Sequence, residues 1–178
     1  MDLFERSERL MGMDKRTWAR HANPWSVYTR FTALPLLCLA VWSRVWLGWW
    51  ALVPLLLTVL WIWLNPRLFS PPAHTESWAA RGTFGERVFL NRKTVSIPAE
   101  YVRWGYGLSI ASGLGLLPLV WGLWQLDIAW TITGLVMSMG AKTWFVDRMA
   151  QLYDRMKDAD PTYAGWMRYK SNVANTGA

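Results

Sequence analysis

The side chains of this chain that can do chemistry gather at the edges of long apolar stretches. His21, Asn23 and Arg30 fall within ten residues of one another, and Asn65 and Arg67 close the second apolar run. Arg81, Glu86, Arg87, Asn91 and Arg92 follow in the polar stretch after it. An arginine guanidinium offers two parallel donors that match a phosphate or carboxylate, and helix N-termini favour the same anions. His21, Asn23, Arg30, Asn65, Arg67, Glu86, Arg87 and Arg92 are therefore expected to form a ligand-binding pocket for an anionic headgroup. A plainer reading stands beside it, in which the asparagines end helices and the arginines hold the chain electrostatically to an anionic surface.

Lys142 is a separate candidate. It follows Gly134 and Ser138 at four-residue spacing, which turns it towards other helices, and a charge inside an apolar stretch is a functional candidate by default. It can equally reach the aqueous boundary or pair with Asp147 or Glu86. Arg44 and Asp127 fall in two short turns and form a candidate ion pair across them, one that sets orientation rather than stability. His21 and His74 are the only histidines and Cys38 the only cysteine, so neither a metal site nor a cofactor is expected. The glycines of RGTFGER lack the ending of a phosphate-binding loop.

Helices crossing a bilayer would hold these residues. Val45 to Pro66 contains no ionisable side chain, and its first 20 residues would rise about 30 Å as a helix, the thickness of a hydrocarbon core. The spans are expected at 24–44, 45–64, 104–126 and 128–146, joined by a connection over 65–103 that lies partly on the membrane surface. Together they make a four-span membrane domain, 24–146, flanked by an N-terminal segment, 1–23, and a C-terminal helix and tail, 147–178. Asn23-Pro24 starts the first span, Pro35 and Pro54 should kink the first two, and the residue before Pro66 should end the second. Gly105, Ser109 and Gly113 form a small-residue stripe for helix contact on the third. Met149, Leu152, Tyr153 and Met156 carry the fourth helix on as an amphipathic extension, and Asp160-Pro161 opens a last short helix. The polar tail Ser171 to Ala178 should fray. A faint likeness between LPLLCLAVWSR and LPLVWGLWQLD suggests two related hairpins, although two Leu- and Trp-rich spans match this well by chance.

Fifteen tryptophans exceed what a soluble core of 178 residues would use, and Trp42, Trp46, Trp49, Trp50, Trp121, Trp124 and Trp130 surround the two proposed turns. The net charge of +7 forms no patch on a soluble module, so lipid headgroups rather than nucleic acid are the expected counter-charge. Segments that must share one side carry 6, 6 and 5 Lys and Arg, against 1 and 0 on the other. Both termini and the central connection are thus expected to face the cytoplasm.

HANPWSVYTR, WIWLNPRLF and GERVFLNRKTVSIP together resemble domain of unknown function 6653, over about Thr17 to Tyr153. That resemblance implies a bacterial inner-membrane protein with helical spans, and it carries no activity, cofactor or catalytic residue. The fold expected is all-α, a four-helix transmembrane bundle of two hairpins. The function expected is that of an accessory or interaction component, binding anionic lipid and possible partners in a larger membrane complex. A lipid-modifying enzyme using the His, Asn and Arg cluster and a small transporter or channel are the alternatives.

Overall fold

A computed structural model describes residues 15–167, and every regular element among them is helical. The expected N-terminal segment thus enters only at Lys15, and the tail expected to fray lies outside the described residues. In chain order the elements are α1 (Lys15–His21), α2 (Pro24–Phe31), α3 (Ala33–Trp42), α4 (Arg44–Leu47) and a 3-10 turn (Gly48–Ala51). Then come α5 (Leu52–Leu68), α6 (Trp78–Leu90), α7 (Ala99–Gln125), α8 (Ile128–Met156) and α9 (Pro161–Ala164).

The first hairpin starts where Asn23 caps α2, its Oδ1 accepting the Trp25 N–H at 2.9 Å with Pro24 as the first helical residue. Pro35, which has no N–H and crowds the preceding turn, separates α2 from α3 at Thr32, a break rather than a kink in one helix. The expected second span from Val45 is displaced: Val45 to Ala51 make the reversal, with Gly48 at φ +54°, and the continuous helix starts at Leu52. Pro54 consequently sits in the first turn of α5, where its missing N–H leaves no gap, and it introduces no kink there. The expected stop at Asn65-Pro66 is also overrun, since α5 continues to Leu68. Asn65 is held in place by its side chain, which accepts from Ser26 Oγ at 3.1 Å and donates to Thr29 Oγ1 at 2.7 Å. Those two bonds outweigh the modest pre-proline preference and bring the end of α5 back beside the start of α2.

The second hairpin is α7 against α8. Leu126, with φ +59°, ends α7, and Asp127 Oδ1 accepts the Trp130 N–H at 3.0 Å to start α8. The backbones run close enough that a Cβ on Gly122 would overlap Thr131, and one on Gly134 would overlap Leu119. The small-residue stripe of α7 is thereby corrected: Gly113 faces open space, Gly105 meets the Phe89 ring of α6, and Gly115 and Gly122 make the close approach to α8.

The connection departs most from expectation. Trp78–Leu90 packs into the protein: α6 runs along the second half of α8 and supplies Ala80, Phe84, Val88 and Phe89 to the main buried cluster. Phe145, Met149, Leu152, Tyr153 and Met156 of α8 face them, which fulfils the amphipathic extension read from the sequence. The best-packed part of the molecule is thus the end opposite the two turns. Two helical stretches, Pro24–Asn65 and Ala99–Gln125, are long and apolar enough to cross a membrane. In the first, only 6% of the most apolar 18-residue window is buried, so the side chains of that window meet the surroundings rather than a protein core.

Candidate functional site

Four of the chemistry-bearing side chains meet where α1, α2, α6 and α8 converge. His21 is the last residue of α1, Arg30 lies near the end of α2, Glu86 is midway along α6 and Lys142 is midway along α8. They share the walls of one cavity of about 270 Å³ with Val27, Phe31, Gly82, Thr83 and Val146. Gly82 and Gly85 make this possible, because a Cβ on Gly85 would overlap the Met149 carbonyl and one on Gly82 the Val146 side chain. Only glycine lets α6 approach α8 closely enough to bring Glu86 to Lys142, with Lys142 Nζ 3.7 Å from Glu86 Oε1.

The opposite wall is built on one contact. Arg30 Nη1 is hydrogen-bonded to His21 Nε2, while Arg30 Nε donates to the Ser26 carbonyl at 3.1 Å. A guanidinium only donates, so Nε2 is the acceptor and the imidazole proton sits on Nδ1. His21 is 5% exposed, and Nδ1 is buried with no hydrogen-bond partner among the described residues. Burial, then the charges of Arg30 and Lys142, push the His21 pKa down from 6.5 to about 2, so the ring is neutral. The cavity thus gathers two cations and one carboxylate, a set that suits an oxyanion better than a cation.

A second cavity of about 130 Å³ shares Arg30, Phe31 and Lys142 with the first. It extends between the hairpins to Leu34, Met139, Ser112 and Ser138, where Ser112 Oγ donates to the Ser138 carbonyl at 3.0 Å. A larger cavity, about 540 Å³, is instead an open groove on α7 lined by Glu100, Arg103, Trp104, Gly107 and Leu108. Glu100 there already pairs with Arg155 at 2.9 Å, and the walls are mostly apolar, so it gathers no comparable set.

Of the residues expected in the pocket, His21, Arg30 and Glu86 come together, and Lys142 joins them rather than standing alone. Asn23 is a helix cap whose Nδ2 also donates to the Ser70 carbonyl at 2.9 Å, and Asn65 is the buried clamp described above. The Arg67 guanidinium lies 4.2 Å over the Trp63 ring. Arg87 stacks at 4.2 Å on Trp166, and Arg92 donates to the Phe89 carbonyl and the Tyr106 hydroxyl. Asn91 donates to Tyr163 Oη at 2.8 Å, and Arg81 pairs with Asp154 at 2.9 Å. Arg81 and Arg87 lie on other faces of α6 than Glu86 because a helix distributes neighbouring residues around its axis, while Arg67 is on α5 and Arg92 lies beyond the end of α6. Arg44 does reach the second turn, but its guanidinium donates to the Leu123 and Trp124 carbonyls at the end of α7, while the Asp127 carboxylate caps α8.

His21 Nε2 faces a guanidinium, so the ring is not arranged as a base beside a carboxylate or a nucleophile. No curated protein and no solved structure matches the chain. A family model does match, over residues 3–170, and the chain belongs to that family of unknown function, DUF6653.

Proposed function

We propose that this is a four-pass membrane protein that binds an anionic lipid headgroup in the cavity walled by His21, Arg30, Glu86 and Lys142, acting as an accessory component rather than as an enzyme. The observation that carries the reading is the position of the two cations relative to two bands of exposed tryptophan. One band, Trp46, Trp49, Trp50, Trp121, Trp124 and Trp130, surrounds the hairpin turns; the other, Trp25, Trp63, Trp104 and Trp144, lies towards the opposite ends of the same helices. Along α7 and α8 the bands are about 21–30 Å apart at 1.5 Å per residue, which fits tryptophans at the two faces of a hydrocarbon layer. Lys142 lies two residues from Trp144, at the second band, where a lipid phosphate would reside. The excess of Lys and Arg on that side favours the cytoplasm, and the resemblance read from the sequence favours a bacterial inner membrane.

Topology is tested by replacing Cys38 and introducing single cysteines at Arg87 and at Trp124. Impermeant labelling of intact cells should modify the Trp124 position and spare the Arg87 position; the reverse pattern sinks the orientation. The headgroup site is tested by purifying Arg30→Gln and Lys142→Gln in mild detergent. Both should carry less phosphatidylglycerol than the unsubstituted protein, and unchanged lipid in both removes the reading.

A further inference from the structure

Resting on that reading, we propose that the ligand is an anionic amphiphile bound head and chain together, its head between Arg30 and Lys142 and the first carbons of its chain between Leu34 and Met139. Two cavities of about 270 Å³ and 130 Å³ share Arg30, Phe31 and Lys142, so the cations stand at a junction. On one side of that junction lie His21, Thr83 and Glu86 with Val27 and Val146; on the other lie Leu34 and Met139 with Ser112 and Ser138. A free anion would use only the first chamber. An amphiphile uses both, since its charged end belongs with the cations and its chain with the apolar walls. The second chamber runs between the hairpins towards their turns, and Ser138 lies about 15 Å along α8 from its start, well inside the layer bounded by the tryptophan bands. Ser112 and Ser138 do not make this chamber wet, because they bond to each other's helix: Ser112 Oγ donates to the Ser138 carbonyl at 3.0 Å and lies 3.3 Å from Ser138 Oγ.

Each methylene taken from water into an apolar site improves affinity about fourfold, so even two carbons in the second chamber should be visible. The full chain is purified, delipidated and titrated by native mass spectrometry with dodecyl phosphate, laurate, phosphatidylglycerol and inorganic phosphate. Dodecyl phosphate should bind at least about tenfold more tightly than inorganic phosphate. Leu34→Trp, which fills the second chamber, should abolish that advantage while leaving inorganic phosphate binding unchanged. Met139→Trp fills the chamber from the other helix and should do the same if Leu34→Trp fails to fold. Arg30→Gln should weaken both ligands, which separates failure of the headgroup site from failure of the chain site. A Leu34-dependent gain for phosphatidylglycerol alone supports a membrane phospholipid as the source, and one for laurate alone supports a free fatty acid. A chain advantage that survives both tryptophan variants, or no advantage at all, overturns the inference.

Discussion

Arg30 presents its guanidinium to the Nε2 of His21, and this one contact fixes the tautomer of a buried histidine. The unfolded imidazole takes up a proton below about pH 6.5, whereas the folded one, held at about 2, does not. The stability that follows is present above pH 6.5 and is lost as the pH falls towards 2, by up to about 1.4 kcal/mol per pH unit from this group. Melting curves in detergent should therefore flatten between pH 6.5 and 4 in His21→Asn relative to the unsubstituted protein. Parallel curves would place the histidine proton elsewhere.

Glu86 competes with any anion for Lys142. The pair is separated by 3.7 Å and is partly exposed, so its coupling is about 0–1 kcal/mol. Glu86→Gln should raise the affinity for inorganic phosphate by up to about fivefold, because it removes the resident negative charge. Weaker binding by this variant would mean that Glu86 holds Lys142 in its working position.

Three glycines separate packing from propensity. Gly85→Ala would drive a Cβ into the Met149 carbonyl, and the strain should cost about 1–3 kcal/mol with loss of the α6–α8 contact. Gly107→Ala and Gly113→Ala meet nothing within 4 Å and should be neutral or stabilising by up to about 1 kcal/mol, since alanine is the better helix former. Thermal melts of the three variants decide it, and equal losses would contradict the close approach at Gly85.

Asn65 joins the two ends of the first hairpin. Asn65→Ala leaves the Ser26 and Thr29 hydroxyls without that partner and should cost about 0.5–2 kcal/mol, within the range of helix-to-helix hydrogen bonds in membranes and of buried groups losing a partner. A double variant with Ser26→Ala should cost less than the sum of the two singles. Strict additivity would show that the bond contributes nothing.

The helix termini were legible where the cause is local. Asn23-Pro24 and Asp160-Pro161 each place a side-chain acceptor and a proline at the start of a helix, and caps act within a few residues. The Asp160 carboxylate shows the same local cause, its pKa lowered by hydrogen bonds from the Thr162 side chain and backbone. The extension of α8 was legible because Met149, Leu152, Tyr153 and Met156 repeat at helical spacing. The role of α6 was not. Its Gly82 and Gly85 meet a partner more than sixty residues away, and hydropathy alone does not reveal a partner.

What the sequence by itself determined is the helical class, the apolar stretches and the sign of the site, because composition, period-3.6 patterning and the positions of arginine and lysine are properties of short windows. Only the tertiary structure decided the membership of that site. Lys142 was joined to His21, Arg30 and Glu86, and Arg87 and Arg92 were turned away, by the approach of α6 to α8 across two glycines and the rotation of each helix about its axis. These depend on contacts between residues distant in the chain, which no local pattern encodes.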